Sequence, residues 1–492
     1  MRARVAVLAL IGCGGSEATG DDESSTTTSN DATTLASTTT STSSSTTTAA
    51  DTTTTGGDGR DPLFVDADNP CYFNDGNGIV YLTGSHTWGT NRDRALEDPP
   101  PPFDYERFLD FAASHDHNFF RLWTWEQPHS GNDNPDGELR WVEPFPWLRT
   151  GPALANDGKP AFDLAQLDDA YFERLRERVE LADARGFYVS VMLFDGWDLA
   201  NAYNPDDGGF PYGAGNNVNG IAIDGPGSQS LLDEQVTAIQ EAYVRRVIDT
   251  VNDLDNVLWE IANETGSSGV PWQYHMIEVV RGYEATKPKR HPIGMTATDP
   301  GLDIDLHDSN ADWISPAAQL LGCDGTKVIL NDTEHSYDWT ALRAEGSDAQ
   351  RKWVWRTVTI GAQPLFMDPY LEPWADRNAP VGDAPDPYWD PIRIAMGRAR
   401  SYIERLDLDT AYHDGTACST GYCMAEYGAQ YLVYQDGSGP FTVAVDEGTY
   451  AYEWYDPNAG EIVEMGTMDL PAGDAEMVPP FDGDAVLLLL VD

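Results

Sequence analysis

The chain has few basic residues. Its 492 residues include 81 Asp and Glu against 30 Lys and Arg, only five of them Lys, and the formal net charge is −51. Nucleic acids are bound through clusters of basic side chains, and the sequence contains no such run of positive charge. The composition therefore argues against nucleic acid as a partner.

Several motifs of known catalytic and cofactor sites are also missing. No HExxH or CxxC pair suggests a metal site, and no GxSxG suggests an esterase or protease. No GxGxxG turn follows the first predicted strand, which removes the usual dinucleotide site of a doubly wound sheet. The sequence thus predicts neither a metal nor a cofactor.

The N-terminal segment has little that could form a core. Residues 1–13 combine two Arg, a short apolar run and Leu10-Ile11-Gly12-Cys13, which resembles the bacterial lipoprotein box with Cys13 as the lipid-bearing residue. Ser and Thr make up 24 of the 32 residues in 24–55. We predict a signal peptide in 1–13, a disordered linker in 14–60, and an exported protein anchored by lipid at the bacterial cell surface or the periplasmic face of a membrane.

Most of the negative charge lies beyond this segment. Residues 61–492 contain 74 acidic and 27 basic side chains, a net charge of −47. An acidic surface repels anionic polymers, so a neutral glycan is a better partner than a uronate-rich one. Of the other cysteines, Cys418 and Cys423 are close enough for a small disulfide, whereas Cys71 and Cys323 are predicted either to pair or to stay free.

Strand and helix patterns alternate from 61 to 408. Long amphipathic helical patterns, such as Leu167 to Arg185, separate eight apolar strand patterns. The eight strands are predicted at 79–84, 118–123, 187–194, 257–262, 292–296, 312–315, 328–330 and 364–367. Eight such units predict an α/β fold of the (β/α)₈ TIM barrel type, with an open doubly wound sheet as the alternative.

The pattern changes near the C terminus. Short alternating strands separated by turns such as Asp436-Gly437 follow Gly421. We therefore predict that residues 409–492 form a small all-β sandwich with an accessory role.

Polar and aromatic residues gather where the barrel strands end. In such barrels the chemistry lies at the C-terminal ends of the strands. Carboxylates and Trp faces at a barrel mouth suit the cleavage and stacking of sugars. The candidates at these ends are His86, Trp88, Trp125, Asp195, Asn263, Glu264, Asp332, Glu334, His335 and Asp368.

These segments carry a family resemblance. Trp259-Glu260-Ile261-Ala262-Asn263-Glu264 resembles the strand-four signature of glycoside hydrolase clan A. The segments 81–88, 120–123 and 328–335 resemble the cellulase-like, apiosidase-like barrels of that clan. Those barrels commonly carry a C-terminal sandwich of a type named for collagen binding, which 420–434 resembles.

The resemblance implies a retaining glycoside hydrolase with a carbohydrate substrate. Glu264 would be the acid/base, Asn263 would bind a sugar hydroxyl, and Arg121 would lie below the nucleophile and keep it ionised. We favour Glu334 as the nucleophile because it lies further toward the mouth, with Asp332 as the alternative. The competing hypothesis is a non-catalytic surface lipoprotein that binds glycan or matrix. The sugar, the oligomeric state and retention or inversion stay open.

Overall fold

The structure is a computed structural model that describes residues 60–130, 138–298, 303–317, 320–333, 342, 344–371 and 384–491. The predicted signal peptide, Cys13 and residues 14–59 of the predicted linker lie outside these ranges. Arg60, at the end of that linker, packs on the fold, with its guanidinium 5.0 Å from the centroid of the Tyr188 ring. Within the described residues, no helix is long and apolar enough to cross a membrane.

The strands are numbered in chain order. They are β1 (Phe64–Val65), β2 (Phe73–Asn74), β3 (Ile79–Val80), β4 (Gly84–His86), β5 (Asp93–Ala95), β6 (Phe119–Leu122), β7 (His129–Ser130), β8 (Arg140–Glu143), β9 (Trp147–Leu154), β10 (Pro160–Leu167), β11 (Tyr188–Asp195), β12 (Val257–Asn263), β13 (Ile293–Thr296), β14 (Trp313–Ser315), β15 (Val328–Asp332), β16 (Gln363–Met367), β17 (Tyr412–His413), β18 (Cys423–Glu426), β19 (Gln430–Gln435), β20 (Phe441–Val445), β21 (Gly448–Asp456), β22 (Glu461–Leu470), β23 (Gly473–Met477) and β24 (Ala485–Val491).

The helices follow the same order. They are α1 (Tyr105–Ala113), α2 (Asp169–Asp183), α3 (Gly196–Ala200), α4 (Gly225–Ser228), α5 (Glu234–Val251), α6 (Val270–Glu284), α7 (Asp303–His307), α8 (Ser347–Thr359) and α9 (Asp390–Ile403). The long ones have Asp or Pro in the first turn or at the N-cap, where an acidic side chain or a missing N–H is tolerated best.

Eight parallel strands form the barrel. Their order is β4-β16-β15-β14-β13-β12-β11-β6, and every hydrogen-bonded pair in this sheet is parallel. Strands such as β11 and β12 are buried along their whole length, as expected for a sheet covered by helices. The predicted TIM barrel is confirmed, and its strands end together at one mouth.

The first barrel strand differs from the prediction. Ile79-Val80 pairs with β2 in a separate three-stranded sheet, and the barrel strand begins only at Gly84. Asn118 joins the two ends of the barrel sheet, since its backbone N–H donates to the Thr83 carbonyl (3.0 Å) and its side chain accepts the Thr83 N–H (2.9 Å). The apolar run predicted as one strand therefore serves two sheets.

The C-terminal strands fit a β-sandwich. A six-stranded antiparallel sheet, β17-β18-β19-β24-β21-β22, lies against the two-stranded sheet of β20 and β23. Side chains alternate along β24: Leu487 and Leu489 pack toward the small sheet, whereas Val486 and Leu488 pack toward barrel helices. Because both faces are covered, the apolar run of β24 is continuous rather than alternating.

The sandwich and the barrel share a core. Trp355 of α8 packs against Tyr434 and Tyr455 of the large sheet, with ring centroids 6.4 and 5.7 Å apart. The structure also pairs Cys418 with Cys423, as predicted, and it pairs Cys71 with Cys323 across 252 positions of sequence.

Candidate functional site

Arg121 is the centre of a buried polar network inside the barrel mouth. Its Nε donates to Glu260 Oε2 (2.9 Å), its Nη1 to Asp332 Oδ2 (3.0 Å) and its Nη2 to Asn263 Oδ1 (2.8 Å). A second bond from Nη2 to Glu260 completes a bidentate pair. One arginine thus joins β6 to β12 and β15.

This network is shielded from water. The side chains of Arg121, Glu260 and Asp332 are at most 1% exposed. Buried charges are tolerated only when they are paired and hydrogen-bonded, and Ser190 adds a bond to Glu260 Oε2 (3.1 Å). The three strand ends are therefore held in one arrangement by charge-assisted bonds.

Glu260 is a site residue that the strand-end pattern did not identify. It lies in the middle of a strand whose other residues are mostly apolar, and it has no exposed surface. A buried carboxylate at such a position needs a cationic partner. The acidic residue within an apolar strand pattern was therefore the sequence feature that could have identified Glu260. The partner itself, 139 residues away along the chain, is visible only in the fold.

Of the two candidate nucleophiles, Asp332 and Glu334, the structure describes only Asp332. Asp332 is the last residue of β15, and its carboxylate is held by Arg121 with no exposed side-chain surface. Arg121 therefore contacts Asp332, the alternative candidate, and its position relative to the favoured Glu334 stays a prediction. Glu334 and His335 lie outside the described residues, so their roles stay predictions.

Glu264 directly follows β12 and is partly exposed. Its φ is +39°, and it is one of three non-glycine residues with a positive φ among those described. Such a backbone costs free energy and persists where the surrounding structure enforces it, often at functional sites. The turn takes Glu264 out of the strand direction, while the preceding Asn263 remains fully buried.

Gly196 permits a close approach beneath this turn. A Cβ on Gly196 would lie 2.7 Å from the Asn263 carbonyl oxygen and closer still to the Thr265 backbone. The start of α3 therefore packs directly on the segment that carries Glu264. Only glycine fits between these two backbones.

We expect Gly196→Ala to lower the free energy of unfolding by about 1–3 kcal/mol, because the added methyl group must displace backbone. Urea unfolding measures the change. Gly266→Ala is the matched control, since a Cβ at Gly266 has no neighbour within 4 Å and the residue has a φ of −58°. Equal effects of the two substitutions would contradict this account of the packing.

His86 lies beside the network and is uncharged at neutral pH. Its ring stacks on Trp123, with centroids 5.3 Å apart. Burial lowers the pKa of His86 to about 4, although Asp332 and Glu260 oppose this shift. The neutral imidazole is thus suited to hydrogen bonding and adds no charge to the site.

The two tryptophans predicted as sugar platforms are buried instead. Trp88 is 5% exposed and Trp125 only 2%. The Trp125 indole N–H donates to the Trp88 carbonyl (3.1 Å), and the Arg94 guanidinium lies 4.5 Å from the Trp125 ring centroid. These indole faces are part of the core, so the structure does not place an open stacking platform at either residue.

The remaining candidates have defined partners. Asp195 ends β11, and its Oδ1 accepts from the Trp197 N–H (3.0 Å) and from Asn263 Nδ2 (3.4 Å). Asp368 is fully buried in a bidentate pair with Arg393 (2.7 and 2.5 Å). Asp195 is therefore next to the network, whereas the Asp368 carboxylate is used to hold α9 rather than to face the cleft.

No cluster of three or more His, Cys, Asp or Glu suited to a metal ion occurs among the described residues. The site as described consists of one arginine, paired carboxylates, an amide and a neutral imidazole. Such a set can bind hydroxyl groups and stabilise a carboxylate that acts as acid, base or nucleophile.

Comparisons with known proteins support the architecture. A solved structure described as a glycoside hydrolase matches with a TM-score of 0.58 at 12% identity, over 88% of this chain and 97% of the other. A glycoside hydrolase family 5 protein from Bacteroides vulgatus ATCC 8482 matches with a TM-score of 0.57 at 11% identity, over 87% and 94%. No protein-family model and no curated protein matches the sequence. The chain thus has the same overall fold as these two proteins.

Proposed function

We propose that this protein is a glycoside hydrolase that cleaves O-glycosidic bonds in an oligo- or polysaccharide. The observation that carries the proposal is the Arg121 network, which holds Asn263 and Asp332 at the barrel mouth beside Glu264. Two solved proteins with the same fold are named as glycoside hydrolases, which agrees with this function.

Each residue then has a distinct task. Glu264 protonates the leaving oxygen and later removes a proton from water. Asn263, oriented by Arg121, donates or accepts a hydrogen bond at a hydroxyl of the sugar. The nucleophile comes from the end of β15 and attacks the anomeric carbon from the opposite side, at a carboxylate separation of about 5–5.5 Å in a retaining enzyme.

The acidic surface bears on the class of substrate, and the N-terminal segment bears on the location of the enzyme. A net charge of −51 disfavours polyanionic glycans, so the substrate class is a neutral glycan. Attachment of lipid at Cys13 would keep the enzyme at the outer surface of the cell or on the periplasmic face of a membrane. Labelling with a radioactive fatty acid, lost in Cys13→Ala, tests the anchor.

We expect Glu264→Gln to lower kcat by about 10²–10⁴-fold on any glycan that the wild type hydrolyses, because the amide cannot transfer the proton. Release of reducing ends from a panel of neutral glycans measures hydrolysis, and titration calorimetry measures binding, which should persist. Glu461→Gln, on the exposed strand β22, is the control. Binding without hydrolysis by the wild type would instead identify a glycan-binding lipoprotein.

A further inference from the structure

Glu126 lies just beyond β6 and bonds to the next strand end. Its side chain is only 8% exposed. Its Oε1 accepts the backbone N–H of Asp195, the last residue of β11, at 3.0 Å. The carboxyl therefore fixes the point at which β11 turns into α3.

A second carboxylate ties the same two segments in the opposite direction. Asp198 of α3 accepts the backbone N–H groups of Glu126 (2.8 Å) and Gln127 (2.9 Å) through Oδ2. The Gln127 side chain donates to Asp198 Oδ1 (2.9 Å). These reciprocal bonds make the loop after β6 and the start of α3 one unit.

This unit is connected to the proposed acid/base. Asp195 accepts from Asn263 Nδ2 (3.4 Å), and Asn263 in turn accepts from Arg121 (2.8 Å). Asn263 is the residue before Glu264. A displacement of Asp195 would therefore reach the Asn263-Glu264 turn through a single hydrogen bond.

The charge on Glu126 depends on pH near neutrality. Burial, together with the negative charge of Asp198, raises the pKa of Glu126 to about 7, although Arg92 and the Asp195 N–H oppose the rise. The phenols of Tyr212 and Tyr243 also face the carboxyl, and their own pKa values are well above the usual range. Above neutral pH, Glu126 thus adds a negative charge beside Asp198.

We propose that Glu126 is a positioning residue of the active site, which holds Asp195 and the Asn263-Glu264 turn in the productive arrangement only while its carboxyl is uncharged. Ionised Glu126 repels the neighbouring carboxylate of Asp198, and this repulsion loosens the paired segments that position Asp195 and its bond to Asn263. The inference rests on the proposed hydrolase activity, and it assigns part of the alkaline loss of that activity to a group that does not touch the substrate.

The test compares Glu126→Gln with the wild-type full-length protein between pH 5 and 9. Gln keeps an acceptor for the Asp195 N–H and cannot ionise. We expect its kcat at pH 5.5 to be within about threefold of the wild type, and we expect it to lack a fall of roughly five- to tenfold that the wild type shows with a midpoint near pH 7. Glu126→Ala, which removes the acceptor, should lower kcat about tenfold at every pH with little change in KM.

A second readout does not depend on activity. Because the pKa of Glu126 is higher in the folded than in the unfolded chain, its ionisation destabilises the wild type as pH rises from about 4.5 to 7. The melting temperature of Glu126→Gln, relative to wild type, should therefore increase over this range. Glu173→Gln, on the exposed surface of α2, is the matched control.

The results separate the role of Glu126 from the hydrolase function. Superimposable pH profiles of wild type and Glu126→Gln, or an unchanged kcat in Glu126→Ala, would overturn the inference and leave the hydrolase proposal standing. Absence of hydrolysis by the wild type on every glycan would overturn the proposed function and this inference with it.

Discussion

Replacing Arg121 with methionine is expected to lower the free energy of unfolding by about 3–5 kcal/mol, because it leaves the Glu260 and Asp332 carboxylates buried without their partner. Methionine fills a similar length without a charge, so the loss reports the broken pairs rather than a large cavity. Urea unfolding followed by Trp fluorescence measures the effect. Arg121→Lys should be intermediate, since an ammonium keeps the charge but not the bidentate geometry.

An exposed ion pair provides the control. Arg246 pairs with Asp169 at 2.9 Å, with side chains 41% and 80% exposed. Arg246→Met should therefore change stability by no more than about 1 kcal/mol. A similar loss in both variants would show that the Arg121 network contributes no more to stability than a surface pair.

Hydrolysis by any folded Arg121 variant should also be strongly reduced, because Asn263 loses its orientation.

Loss of the nucleophile should have the largest effect on rate. We expect Glu334→Gly to lower kcat by roughly 10⁴-fold or more, because double displacement cannot begin without the attacking carboxylate. Asp332→Asn should lower kcat less, by about 10–100-fold, because Asp332 has no exposed side-chain surface and acts through Arg121. The expectation for Glu334 rests on its place in the sequence, two residues beyond the end of β15.

Added azide separates the two roles. In a retaining enzyme a small anion can replace the missing nucleophile, so azide should restore turnover of an activated aryl glycoside by Glu334→Gly and yield a glycosyl azide. It should not rescue Asp332→Asn. Rescue of Asp332→Asn alone would assign the nucleophile to Asp332. The anomeric configuration of the first wild-type product, read by NMR, determines retention or inversion.

Much of the barrel could be predicted from local pattern. Long buried strands lie close to their predicted bounds: Tyr188–Asp195 is shifted by one residue from 187–194, and Val257–Asn263 is one residue longer than 257–262. Continuous apolar runs between amphipathic helices suit a helix-covered parallel sheet, which is why they could be predicted. The first strand was less predictable. Ile79-Val80 and Gly84–His86 belong to different sheets, and a local apolar run cannot tell which partner each half will meet.

The candidate site was predicted unevenly. Strand-end position identified Asn263 and Asp195, the family resemblance added Arg121, and the structure brings the three together. Position could not show that Trp88 and Trp125 are covered, because the packing of an indole face depends on loops far away in sequence. It also could not show that Asp368 is taken up by Arg393 of α9.

The sequence by itself determined the acidic surface, the order of strands and helices, and the residue types at the barrel mouth, because these depend on composition and short-range periodicity. Only the tertiary structure decided which charges meet. Arg121 reaches Glu260 and Asp332 across 139 and 211 positions, and Glu126 reaches Asp195 across 69. Such pairings, and the raised pKa of Glu126 that follows from burial, exist only once the parallel strands are closed into a barrel and water is excluded from its interior.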